Sequence, residues 1–105
     1  MVSILNSGVP GLSERASVKV SITNRLGLHA RPAMCFVDAA SRFESSVTVV
    51  RAGGGGQNVD GKSIMQMMML AATKGTELEI IAEGSDAAKA CESLKKLVES
   101  GFDEE

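Results

Sequence analysis

The 105-residue chain contains no tryptophan and no tyrosine, and only three phenylalanines. Stacking of nucleic-acid bases on aromatic rings is therefore disfavoured as a binding mode, and the core has to be built from aliphatic and sulfur side chains. A basic run is missing too. The 11 Lys and Arg against 13 Asp and Glu give a formal net charge of -2, which argues against nucleic acid or an anionic membrane surface as partner. No apolar stretch approaches the roughly 20 residues that cross a bilayer. The opening MVSILNSGVPG has no basic residue ahead of its short apolar run and does not read as a secretory signal. Two cysteines, Cys35 and Cys91, lack CxxC spacing, and a single histidine leaves no ligand set for a metal. Both thiols lie in apolar stretches, so they are expected to be buried and free in a cytoplasmic protein.

What is present has room for one domain with a core of its own. Residues 1–16 show no sustained period and carry Gly8, Pro10 and Gly11, which reads as a flexible extension; residues 17–105 read as the domain. In SVKVSITN the apolar Val18, Val20 and Ile22 alternate with polar residues, the period of a half-buried strand. ARPAMCFVDAASRF places Ala33, Phe36, Val37 and Ala40 at helical spacing with Pro32 in the first turn, so a helix should start immediately after His29. SSVTVVR and QNVDG read as a hairpin around a mobile glycine turn at residues 52–56. Ser63 stands as the N-cap of a helix over IMQMMMLAATK that ends at Gly75, TELEIIAE alternates again, and a last helix from Ser85 carries Ala87, Cys91, Leu94, Leu97 and Val98 as its stripe, closed by Gly101. The order βαββαβα predicts an α+β fold, a four-stranded antiparallel sheet covered on one face by three helices.

One motif pulls in another direction. GQNVDGKS, residues 56–63, fits the phosphate-binding pattern G-x-x-x-x-G-K-[ST]. A nucleotide-binding loop needs a parallel strand before it, a long helix after it and further βα units to supply an acidic magnesium partner. Only one more strand follows here, and its alternation marks it as half exposed. The match is expected to be an accident of a hairpin followed by a serine-capped helix, with no metal or nucleotide held by the chain.

His29 stands in LGLHARPA at the strand-to-helix junction, with Arg31 two residues on. A helix N-terminus offers unpaired N–H groups and partial positive charge, which suits an anion such as a phosphoryl group, and Arg31 adds a forked cation. GLHARPA at residues 27–33 and GKSIM at residues 61–65, in this order and separation, resemble HPr, the histidine-containing phosphocarrier of the bacterial phosphoenolpyruvate-dependent phosphotransferase system. The resemblance covers roughly residues 17–100. It implies an open-faced β-sandwich, His29 as the residue that accepts a phosphoryl group on Nδ1, and Arg31 as an aid to its transfer. It implies no cofactor.

The same resemblance makes Ser63 a regulatory serine phosphorylated by a dedicated kinase, and Ile64, Met65 and Met68 an exposed apolar patch. Its implied partners are enzyme I, IIA-type acceptor domains and that kinase, met by a monomer. From the residues alone, Ile64, Met67, Met68 and Ala71 can form one buried stripe while Met65 and Met69 fall off it, leaving more sulfur than one face can bury. A purely regulatory module acting through Ser63 is the alternative, against which the intact His29 and Arg31 weigh. Two features depart from the family pattern: the long AGGGG turn, and Gln66 where a small residue is expected.

Overall fold

The computed structural model describes residues 3–6, 14–53, 57–70 and 72–102. Its elements are strands β1 (Ser3–Asn6), β2 (Glu14–Ser21), β3 (Ser46–Arg51), β4 (Val59–Asp60) and β5 (Glu77–Gly84), with helices α1 (Ala30–Ala40), α2 (Ile64–Met69) and α3 (Ala87–Glu99). All strand pairs are antiparallel, in the order β1-β2-β5-β3-β4. The period-2 patterns that predict strands also set the register. Val18, Ile80 and Val49 stand abreast on neighbouring strands, as do Ala16, Ala82 and Val47, and every one of these side chains is buried.

The apolar stripes of the helices complete the same core: Pro32, Ala33, Phe36 and Ala40 from α1, Met67 from α2, and Ala87, Ala90, Cys91, Leu94 and Val98 from α3. Among the described residues, no helix packs on the other face of the sheet. That face sets Lys19 opposite Glu79 and Arg15 opposite Glu83, cross-strand pairs suited to a solvated surface. The expected α+β architecture is therefore present, with one strand more than expected.

That strand corrects the reading of residues 1–16 as a flexible extension. Residues 3–6 pair with β2 in the register Ser3↔Ser17 to Asn6↔Glu14, and β2 itself opens at Glu14 and not at Ser17. The outer edge of β2 exposes backbone donors and acceptors, and a four-residue segment is enough to satisfy part of it. Residues 1–2 and 7–13 lie outside the described set, as do residues 54–56 of the glycine turn.

Two further expectations need correction. The second helix stops at Met69, well short of Gly75. Beyond it the backbone is taken up by other partners: Arg51 Nη2 donates to the Leu70 carbonyl at 2.8 Å, Leu28 N–H to the Ala72 carbonyl at 2.8 Å, and Gly75 N–H to the Ile22 carbonyl at 2.8 Å. Segment 72–76 thus runs beside the loop that precedes α1, and continuing the helix would forfeit those bonds. Cys35, expected to be buried, is exposed because it lies two positions after the inward Ala33 and one before the inward Phe36, on the outer side of α1. Cys91 is buried as expected, and desolvation pushes its thiol up to about 11.

Candidate functional site at two helix N-termini

The turn before α1 is built around Gly27. Its φ of +72° is open to glycine, and a Cβ there would lie 2.5 Å from the Ala72 carbonyl oxygen and 2.9 Å from Thr73 Cα. Asn24 Nδ2 donates to the Gly27 carbonyl at 2.7 Å, which fixes the turn from the other side. Leu28 then points into the core, and His29 follows as the N-cap of α1 in extended conformation (φ -83°, ψ -171°). The half-buried His29 is held through its backbone: its N–H donates to the Gly27 carbonyl and its carbonyl accepts from Ala33, both at 3.0 Å.

The His29 side chain makes no capping hydrogen bond. Pro32 has no N–H to offer. Among the described residues the amide N–H groups of Ala30 and Arg31 therefore have no hydrogen-bond acceptor, and they sit at the terminus that carries the positive end of the helix dipole. Arg31, one residue into the first turn, is exposed. One imidazole, two open amides and one guanidinium thus share a single helix end, a donor set suited to a phosphoryl group. Among the described residues, no group of three or more His, Cys, Asp or Glu is placed to hold a metal ion.

Ser63 is the N-cap of α2, also extended (φ -117°, ψ 116°), and its Oγ accepts from Gln66 N–H at 3.2 Å. Gln66 reaches back in turn, its Oε1 accepting from Asp60 N–H at 2.8 Å. This is a capping box displaced onto β4; the departure from a small residue at position 66 has a structural use. The other residues of the GKS motif are also committed locally. Gly61 is buried where a Cβ would meet Val47 Cγ1 at 2.6 Å and Phe36 Cε1 at 3.2 Å. Lys62 Nζ donates to the Phe43 carbonyl at 2.8 Å. The glycine and lysine that fit a phosphate-binding pattern serve packing between α1, β3 and the start of α2.

These ties fix how the two helices lie. The start of α1 meets the chain beyond α2 through the Leu28–Ala72 bond, and the chain beyond α1 meets the start of α2 through the Lys62–Phe43 bond. The helices also pack directly on one another. They are antiparallel, so His29 and Ser63 stand at opposite ends of the pair. The 11 residues of α1 make that helix about 16 Å long.

The two helices also carry an apolar surface. Met65 is 80% exposed, Met69 66%, Met68 44% and Ile64 39%, while Met67 alone in α2 is buried, at 0%. Ile64 and Met68, which helical spacing could have placed in the core with Met67, are thus largely outside it, because a helix of six residues turns only one side chain fully inward. Ala71 lies outside the described residues. Sequence reasoning missed Met34 of α1, 56% exposed, and Leu26, 67% exposed. Met34 could have been found, since it falls off the Ala33–Phe36–Ala40 stripe.

A family model described as the PTS HPr component phosphorylation site matches residues 16–100. A phosphocarrier protein HPr of Treponema pallidum is 44% identical over 82% of this chain and 94% of its own length. One from Pseudomonas putida is 46% identical over 82% and 93%. The fold is that of the crystal structure of HPr-C-His from Thermoanaerobacter tengcongensis, with a TM-score of 0.77 and 42% identity over 85% of this chain and 97% of that one. These matches make the chain a phosphocarrier protein rather than an enzyme. The chain belongs to the HPr family of the phosphotransferase system.

Proposed function

We propose that His29 accepts a phosphoryl group on Nδ1 from phosphorylated enzyme I and passes it to a IIA-type acceptor domain, with the chain acting as a monomer. The Nδ1 lone pair attacks phosphorus, the new N–P bond forms as the donor's bond to phosphorus breaks, and Nε2 keeps its proton. The observation that carries this reading is the placement of His29 as N-cap of α1, beside the amides of Ala30 and Arg31 that no described acceptor takes. After transfer the phosphoryl dianion faces those amides and the Arg31 guanidinium. A helix terminus contributes roughly 0.3–1 kcal/mol at an exposed site, a hold weak enough for onward transfer.

Ile64, Met65 and Met68 form the docking face for those partners, and Ser63 is a regulatory phosphorylation site at its rim. A phosphate on Ser63 brings about -1.5 to -2 charges. Placed at the start of α2 and not at the His29 end of α1, those charges act on the docked partner. The alternative, a regulator that works through Ser63 and never carries phosphate on histidine, predicts a different result in the same assay. Incubation with enzyme I and phosphoenolpyruvate should yield acid-labile phosphate on the parent chain and none on a folded His29→Ala variant. Acid-labile phosphate on that variant, or none on the parent, removes His29 from the mechanism.

A further inference from the structure

The run Met65, Met67, Met68, Met69 is divided by the fold into one thioether sealed in the core and three held in solvent, to which α1 adds Met34. We propose that the four exposed methionines are an oxidation site that switches docking off. The inference rests on the phosphocarrier reading above and adds a regulation to it that Ser63 does not supply. Hydrogen peroxide is the oxidant. A thioether sulfur attacks one peroxide oxygen, the O–O bond breaks, the sulfur is oxidised by two electrons to the sulfoxide, and the other oxygen leaves as water. The change turns a soft apolar side chain into a chiral polar one with a strong acceptor oxygen.

Three observations favour a functional effect over general damage. The exposed sulfurs lie on the pair of helices whose ends carry His29 and Ser63, so oxidation falls on the face a partner must cover. Each sulfoxide oxygen would need a hydrogen-bond partner at an interface shaped for apolar contact. The core is shielded, because Met67 is fully buried and the other large core side chains carry no sulfur apart from Cys91. Sulfoxide is reducible by methionine sulfoxide reductases, so the switch can be reset.

The test uses the full chain in a Cys35→Ser background, which removes the exposed thiol as a competing target. After graded peroxide treatment, peptide masses should show one added oxygen at Met34, Met65, Met68 and Met69, none at Met67, and an unchanged far-UV spectrum. Phosphoryl uptake from enzyme I should then slow at least tenfold and recover on treatment with the reductases. A variant with Met34, Met65, Met68 and Met69 all replaced by leucine, whatever its own rate of uptake, should show the same rate before and after peroxide treatment. An oxidised chain that keeps the untreated rate overturns the inference, as does slowing that appears only with Met67 oxidation and loss of the far-UV signal. An untreated chain that takes no phosphoryl group overturns the carrier reading and this inference with it.

Discussion

Replacing Gly27 with alanine tests whether the turn that sets His29 depends on close backbone approach as well as on backbone freedom. A residue with a Cβ at φ +72° costs about 1–2 kcal/mol in the left-handed region. The added methyl would also lie 2.5 Å from the Ala72 oxygen and 2.9 Å from Thr73 Cα, atoms of the backbone that cannot rotate away. Moving them endangers the Leu28–Ala72 hydrogen bond, worth about 1 kcal/mol. The expected loss is about 2–4 kcal/mol, or on the order of 10–20 °C in Tm for a domain of this size. Gly75 provides the control, since its φ is +91° with nothing within 4 Å of a built Cβ, so Gly75→Ala should lose only the conformational share, about 1–2 kcal/mol. Urea melts of the two variants measure the difference directly. Equal losses for Gly27→Ala and Gly75→Ala would refute the argument from contact.

Further outcomes follow from the same geometry. The Asp86 carboxylate accepts from Ser45 Oγ and from the N–H groups of Glu44 and Ser45, tying the loop after α1 to the start of α3; the Ser45 hydroxyl first, then the Glu44 amide, hold its pKa below the ordinary value. A depressed folded value means stability that is present above the unfolded pKa and lost as pH falls through the folded one. Asp86→Ala should therefore cost about 1–3 kcal/mol near neutrality, and its gap to the parent in denaturant melts should close below about pH 4. Under native conditions at pH 8, iodoacetamide should label Cys35 and spare Cys91, whose thiol is buried with Sγ 3.8 Å from the Ile80 carbonyl; labelling of both at equal rates would contradict the burial. Ser63→Asp should leave Tm unchanged or slightly raised, since aspartate is as good an N-cap, while slowing uptake from enzyme I at least about tenfold, or about 1.4 kcal/mol. An unaltered rate would leave Ser63 a structural cap.

Most of the sheet was legible because each long strand buries one face, so alternation in SVKVSITN, SSVTVVR and TELEIIAE had a cause that reaches down to the residue. The start of α1 was legible for a local reason as well, with Pro32 in the first turn after His29. The fold was less legible where tertiary partners outbid local preference. Nothing in LAATKG announces that Leu28, Ile22 and Arg51 claim its backbone, and helical spacing therefore ran on past Met69. Strand β1 is four residues long, too short to show a period. In the site, His29, Arg31 and Ser63 could be placed at helix starts from sequence, whereas the antiparallel packing that separates them rests on bonds from Leu28 and Lys62 that no periodicity encodes.

The separation of the two helix starts has a consequence for selectivity. A protein that touches only the His29 end has a footprint that stops short of Ser63, and a charge placed there is invisible to it. One broad enough to cover α2 must press on Ser63 and feel any modification of it. The spacing of the two helix starts thus acts as a gauge: if the proposed roles of His29 and Ser63 hold, a phosphate on Ser63 bars partners wide enough to cover both helices and passes narrow ones, so partners are sorted by the size of the surface that each lays across the helices.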